Sequence, residues 1–183
     1  MTEDRFLKAA KQAALEAGEI ISKYFGKKHQ YKFKNQDKSD FVTTADLKAE
    51  QKIIQILTQN FPTHNIIAEE SGKTDKGSQY TWVIDPMDGT IAFASGVPYF
   101  SVSIGLLKEG RPVLGVVYNV SFKYLYWAQK GQGAYLNNKS IQVSNKKSLD
   151  ESVGVLDFGH HHKRQQKIDL YIKPLITKIG YAY

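Results

Sequence analysis

Trp82-Val83-Ile84-Asp85-Pro86-Met87-Asp88-Gly89-Thr90 is the stretch on which the reading of this chain turns. Trp82 to Ile84 form a compact apolar run, which reads as a buried strand delivering Asp85 at its end. Pro86 forces a turn there, so Asp88 returns three residues later and both carboxylates can face one point. Gly89 allows close approach of the backbone, and Thr90 is placed to start a helix whose N–H groups would face an anion. Carboxylates at a strand end are the hard oxygen donors that Mg2+ prefers.

Upstream, the apolar Ile66-Ile67-Ala68 ends in Glu69-Glu70-Ser71, and adjacent strands would set Glu69 beside Asp85. Further back, Asp40-Phe41-Val42-Thr43-Thr44-Ala45-Asp46 puts another acid at the start of a helix. Each piece alone has a simpler explanation. Asp46 would stabilise a helix start, Glu69-Glu70 would be a solvated strand end, and Asp-Pro-Met-Asp-Gly would be an ordinary turn. Together they place Asp46, Glu69, Asp85 and Asp88 at element ends in an otherwise basic chain. Such carboxylates repel one another and repel phosphate, and a divalent ion relieves both effects while turning the site into an anion acceptor.

The surrounding elements follow from periodicity. Phe6, Leu7, Ala10, Ala14, Ala17, Ile21 and Phe25 recur at threes and fours, predicting a first helix capped by Thr2 and stopped at Gly26. A second helix is expected over 45–60, capped by Thr43 or Thr44, with Ile53, Ile54 and Leu57 inward and Phe61-Pro62 at its end. Short strands are expected at 65–68, 81–84, 100–107, 113–118, 124–128, 134–136, 141–143 and 153–156, with a hairpin turn at Glu109-Gly110-Arg111-Pro112. Residues 165–178 read as helical, interrupted by Pro174, and 179–183 as a strand. Two helices followed by hairpin-connected strands predict an α+β fold, with the helices on one face of a largely antiparallel sheet.

Composition narrows the class. The chain has 183 residues, enough for one domain with a sizeable core, and no cysteine, which excludes disulfides and thiolate metal sites. No secretory stretch opens it and no apolar run could cross a bilayer, so a cytoplasmic protein without membrane attachment is expected. Lys and Arg number 25 against 18 Asp and Glu, a net charge of +7. The basic residues are scattered in pairs such as Lys27-Lys28 and Lys146-Lys147 and form no long run, so no nucleic-acid partner is expected. Tyr99, Phe100, Tyr118, Tyr124 and Tyr126 fall on strand-like segments, where packing explains them better than base stacking.

Asp85-Pro-Met-Asp-Gly-Thr90, preceded by Trp82-Val-Ile, resembles the first signature of the inositol monophosphatase family, which belongs to the lithium-sensitive, Mg-dependent phosphatases. The resemblance continues through 42–46, 68–71, 96–105, 112–118 and 131–137, collinear over nearly the whole chain. It implies the layered α/β sandwich shared with fructose-1,6-bisphosphatases. It further implies a single phosphatase domain over 1–183, incomplete at its C-terminus, with the last layers missing. The implied activity is hydrolysis of a small phosphorylated polyol or sugar by metal-activated water, with inositol 1-phosphate the leading substrate. Relatives of the same superfamily that cleave fructose 1,6-bisphosphate, histidinol phosphate or adenosine 3′,5′-bisphosphate are the alternatives, as is a non-catalytic metal- or anion-binding module.

The resemblance assigns residues as well. Glu69, Asp85, the carbonyl of Met87 and Asp88 would hold Mg2+. Thr90, supported by Asp46, would position and help deprotonate the attacking water near Glu69, so that Glu69, Thr90 and Asp46 are the implied catalytic residues. Glu69, Met87, Asp88, Gly89 and Thr90 would contact substrate, with the backbone N–H groups of Gly89 and Thr90 on the phosphate. A homodimer is implied. Three departures stand against the pattern. The family's second signature, a Trp-Asp pair, is missing, since Trp127 is followed by Ala128; Ala92 stands where Asn is usual; and the family's lysine before the Val-Thr segment has no unambiguous counterpart, Lys34 and Lys38 being alternatives. His160-His161-His162 is a weak transition-metal candidate, because adjacent imidazoles on a loop seldom converge on one ion.

Overall fold

Alanines decide how the first helix packs. Helix α1 (Arg5–Tyr24) buries Leu7, Ala9, Ala10, Ala13, Ala14, Ala17, Gly18 and Ile21 along one face, whose small side chains let the backbone lie close to its neighbours. Its cap is Asp4, whose Oδ1 accepts from the Phe6 N–H at 3.0 Å, rather than the expected Thr2. The computed structural model describes residues 4–27, 31–34, 41–155 and 164–182, so Thr2 lies outside the described residues. These residues form two units, Met1–Ile141 and Gln142–Tyr183.

In the first unit, β1 (Tyr31–Phe33) and β2 (Phe41–Thr43) form a small antiparallel pair. Helix α2 (Thr44–Asn60) follows at once, started by a reciprocal cap: Thr43 Oγ1 accepts from the Ala45 N–H at 3.1 Å, and Asp46 Oδ2 accepts from the Thr43 N–H at 2.9 Å. Ile53 and Leu57 point inward as expected, Ile54 packs partly buried against the same core, and Ile56 is buried as well. Phe61 ends the helix, its N–H reaching Leu57 O at 2.8 Å before Pro62 prevents continuation.

The remaining strands of this unit are β3 (Asn65–Ala68), β4 (Gly72–Thr74), β5 (Tyr80–Asp88), β6 (Ser101–Lys108), β7 (Arg111–Asn119), β8 (Tyr124–Gln129), β9 (Gly133–Leu136) and β10 (Lys139–Ile141), with a short helix α3 (Thr90–Ala94) after β5. They build one eight-stranded sheet in the order β10-β9-β8-β7-β6-β5-β3-β4. Every pairing is antiparallel except β3 with β5, which run parallel. Alternation then separates two faces. Trp82, Ile84, Val102, Ile104, Leu106, Leu114 and Val116 are buried on the face where α1 and α2 pack. Val83, Val117 and Tyr126 lie on the other face and are 37 to 40% exposed.

The strand expected at 141–143 begins earlier, because Asn137, at φ 53°, makes a two-residue turn with Asn138 that pairs Lys139 with Leu136. Val143 is left 93% exposed. At α1, a Cβ built on Gly18 would stand 2.4 Å from Cε1 of Tyr118, so this glycine is what lets the helix close on β7.

In the second unit, β11 (Val153–Gly154) pairs in parallel with β12 (Tyr181–Ala182). Between them run α4 (Arg164–Lys167), a π-helical turn (Ile168–Ile172) and α5 (Lys173–Ile176). Pro174 sits at the start of α5, where its missing N–H and its ring clash with the preceding turn break regular helix, and the wide turn ahead of it absorbs the mismatch. Among the described residues no helix is long and apolar enough to cross a membrane.

Candidate functional site

A bulge aims the two aspartates. Asp85 stands opposite Ser103 and Asp88 opposite Ser101, three steps along β5 against two along β6. The extra residue falls at Pro86-Met87, where proline has no N–H to offer the ladder. Met87 is buried, and its N–H donates to Asp85 Oδ1 at 3.0 Å. Burial pushes the Asp85 carboxyl up to about 7, and the charge of Glu69, a shared hydrogen bond with Glu69 and the charge of Asp88 push in the same direction.

Glu69 reaches Asp85 through the parallel pairing of β3 with β5. Ala68 lies beside Ile84, and the Glu69 N–H donates to Ile84 O at 3.1 Å. Lys34 Nζ stands 2.6 Å from Oε1 of both Glu69 and Glu70. Partial burial works to lower the Lys34 ammonium, but hydrogen bonds to the two glutamates and their charges outweigh it and hold the group above the ordinary lysine range. Burial raises Glu70, and Lys34 works against that rise. Of the two candidate lysines, Lys34 is thus at the acids, while Lys38 lies outside the described residues, as do His160, His161 and His162.

Behind the aspartates, Thr90 Oγ1 lies 3.1 Å from Asp46 Oδ1 and 3.0 Å from Met87 O. One hydroxyl proton can serve only one of these acceptors at a time. Asp46 is almost fully buried; burial raises it, opposed by hydrogen bonds from the Thr43 hydroxyl and N–H and from Thr90. Gly89 occupies the left-handed region at φ 96°, and a Cβ there would stand 2.7 Å from Tyr99 O. Asp46, Glu69, Asp85, Met87, Asp88, Gly89 and Thr90 therefore lie on the ends of β3, β5, α2 and α3. Ala92 lies within α3, inside the same segment.

Among the described residues, no three His, Asp or Glu side chains already stand close enough to enclose an ion. The Lys34 ammonium occupies Glu69, and Asp88 is exposed. A groove of about 470 Å³ between α1 and α2, lined by Ile20, Lys48, Gln51, Lys52 and Gln55, shares no residue with the acids. Its lysines are engaged, Lys48 with the Tyr24 hydroxyl and Lys52 with Glu16 at 3.6 Å. Sequence reasoning missed Glu50, buried in mid-α2 one turn beyond Asp46; the four-residue spacing of the two acids on one helix face was the available signal.

The sequence model of the inositol monophosphatase family matches residues 2–178. A fructose-1,6-bisphosphatase/inositol-1-monophosphatase of Aquifex aeolicus is 38% identical over 96% of this chain and 67% of its own length. A Nus factor SuhB of Pasteurella multocida is 39% identical over 86% of this chain and 60% of its own. The crystal structure of the extragenic suppressor protein suhB from Bartonella henselae superposes with a TM-score of 0.92 at 29% identity, covering 98% of this chain and 70% of that one. The matched part is thus about three fifths to two thirds of these curated relatives. With a family match that runs from α1 into the second unit and a shared layered α+β fold, the chain belongs to the inositol monophosphatase family.

Proposed function

We propose that this chain carries the metal and phosphate site of a Mg2+-dependent phosphomonoesterase whose substrate is inositol 1-phosphate. The observation that carries the reading is the bulge that brings Asp85 and Asp88 to the end of β5 beside Glu69, with Thr90 and Asp46 hydrogen-bonded behind them. The family match supports hydrolysis of a phosphoric monoester, and its span across both units supports one phosphatase domain.

The donor set suits a divalent cation. It consists of hard oxygens, and a divalent ion would offset both the burial and the repulsion from Glu69 and Asp88 that lift Asp85 to about 7. Glu69, Asp85 and the Met87 carbonyl would hold one Mg2+, and Asp85 and Asp88 a second, with Glu69 exchanging the Lys34 ammonium for the ion. Bound Mg2+ would supply Lewis acidity toward the phosphoryl oxygens, the leaving group and the attacking water. The chain's own part is proton management and positioning. Burial raises the proton affinity of the Asp46 carboxylate, so Oδ1 can take the Thr90 hydroxyl proton while Oγ1 takes one from water near Glu69. Backbone N–H groups of Gly89 and Thr90 would orient the phosphate.

A second substrate, fructose 1,6-bisphosphate, is favoured by the name of the Aquifex relative. The family resemblance supports a homodimer, checked by light scattering. The deciding experiment is release of inorganic phosphate from both substrates with Mg2+ and with EDTA. Turnover only with Mg2+ is expected, with inositol 1-phosphate the faster substrate. Equal rates in EDTA would remove the metal from the mechanism.

A further inference from the structure

Glu50 lies one helical turn beyond Asp46 in α2, with only 4% of its surface exposed. Its carboxylate grips the three-residue turn Glu69-Glu70-Ser71 that joins β3 to β4. Oε2 accepts from the Glu70 N–H at 2.8 Å and Oε1 from the Ser71 N–H at 2.9 Å. An ionised carboxylate is acceptor-only, so two consecutive backbone donors satisfy both its oxygens in one geometry. The turn is held at three points: the Glu69 N–H on Ile84 O of β5, the next two N–H groups on Glu50, and the Glu70 side chain on Lys34.

Two acids four apart on one buried helix face repel each other and disfavour the helix. Here the first of them bonds Thr90 and the second bonds the turn that presents Glu69. We propose that Glu50 is a positioning residue of the acidic site: by clamping the Glu70 and Ser71 amides to α2, it fixes the direction in which Glu69 leaves β3. A single helix thereby sets the spacing between the Asp46–Thr90 pair and the Glu69 carboxylate. The role rests on the cation-dependent reading above.

The test uses the full chain with Glu50→Gln, and Leu57→Ala as a control buried in the same helix but remote in sequence from the turn. Mg2+ affinity is read by isothermal titration calorimetry, and amide exchange of Glu70 and Ser71 by NMR. In Glu50→Gln one acceptor becomes a donor facing an N–H. Mg2+ binding should weaken about 10- to 100-fold, with faster exchange at both amides. Leu57→Ala, though less stable, should leave both at wild-type values. Unchanged affinity in folded Glu50→Gln, or an equal loss in Leu57→Ala, overturns the positioning role. Should Glu50→Gln not fold, Glu50→Asp, whose carboxylate falls one methylene short, is read by the same two measurements. A wild-type chain that binds no Mg2+ overturns the proposed function instead, and the exchange arm then decides whether Glu50 holds the turn.

Discussion

Thr90 Oγ1 lies 3.1 Å from Asp46 Oδ1 although 44 residues separate the two, one at the start of α3 and the other in the first turn of α2. Thr90→Val keeps the shape and removes the hydroxyl. The expected outcome is a kcat lower by about 10²- to 10⁴-fold, the range for loss of proton transfer. The melting temperature should move by less than about 4 °C, because Thr90 is only partly buried. Asp46→Asn should lose activity as well, since its amide keeps only one acceptor oxygen to serve both Thr43 and Thr90. Phosphate release and thermal melts separate the two.

Asp85→Asn should abolish turnover and yet raise the melting temperature of the ion-free chain at pH 7.5. At that pH the wild-type group, lifted to about 7 by burial and by Glu69 and Asp88, is largely ionised among like charges. A neutral amide of the same shape removes that repulsion. The gain should be about 1 kcal/mol, after discounting for the carboxylate's partial exposure. Calorimetry in EDTA checks the sign, and excess Mg2+ should reverse the order of the two melting temperatures.

Gly89→Ala should cost about 1–3 kcal/mol and disturb the site, because φ 96° is strained for alanine and the new Cβ would stand 2.7 Å from the Tyr99 carbonyl oxygen. Gly18→Ala offers a contrast. Alanine favours a helix by about 1 kcal/mol over glycine, yet its Cβ would meet Tyr118 at 2.4 Å. A net loss is expected, smaller than at Gly89, because a ring can shift where a carbonyl in the backbone cannot. Denaturant titration of the two variants gives the comparison.

His64 is buried between Phe61 and Tyr80, with ring centroids at 4.9 Å on each side, and its Nδ1 has no hydrogen-bond partner among the described residues. Burial and the charge of Lys76 lower its pKa from 6.5, and Arg5 over Phe61 and Lys108 over Tyr80 add further cations to the stack. The folded state therefore binds fewer protons than the unfolded state below pH 6.5. The contribution is present above that value and is lost as pH falls toward the lowered pKa. His64→Phe should flatten the loss of stability between pH 7 and pH 5. An unchanged slope in thermal melts would show that His64 does not titrate there.

Local patterning was enough to locate much of the main sheet. Residues 65–68 are β3 as expected, the hairpin at Glu109-Gly110 is where the residue types put it, and the helix cap is Thr43, one of the two threonines expected. Strands β1 and β4 escaped because they are exposed along their length, so no burial stamps an alternation on them. The carboxylates of the candidate site were legible because Asp46, Glu69 and Asp88 stand at element ends and Asp85 precedes a proline, although β5 runs on through the bulge to Asp88 rather than stopping before Asp85. The place of Lys34 beside Glu69 and Glu70 was not legible, because the contact joins residues 35 and 36 positions apart. Glu50 was marked only by its four-residue spacing from Asp46, which does not say what it binds.

Composition and order of residues determine by themselves that this chain folds as helices against a largely antiparallel sheet and carries acids at Asp46, Glu69, Asp85 and Asp88, since propensity, periodicity and turn chemistry act over a few neighbours. The parallel pairing of β3 with β5, the bulge at Pro86-Met87, the Lys34 bridge and the Glu50 clamp were decided by tertiary structure. They join residues distant in sequence, and which distant groups meet is settled by the packing of whole elements rather than by local preference.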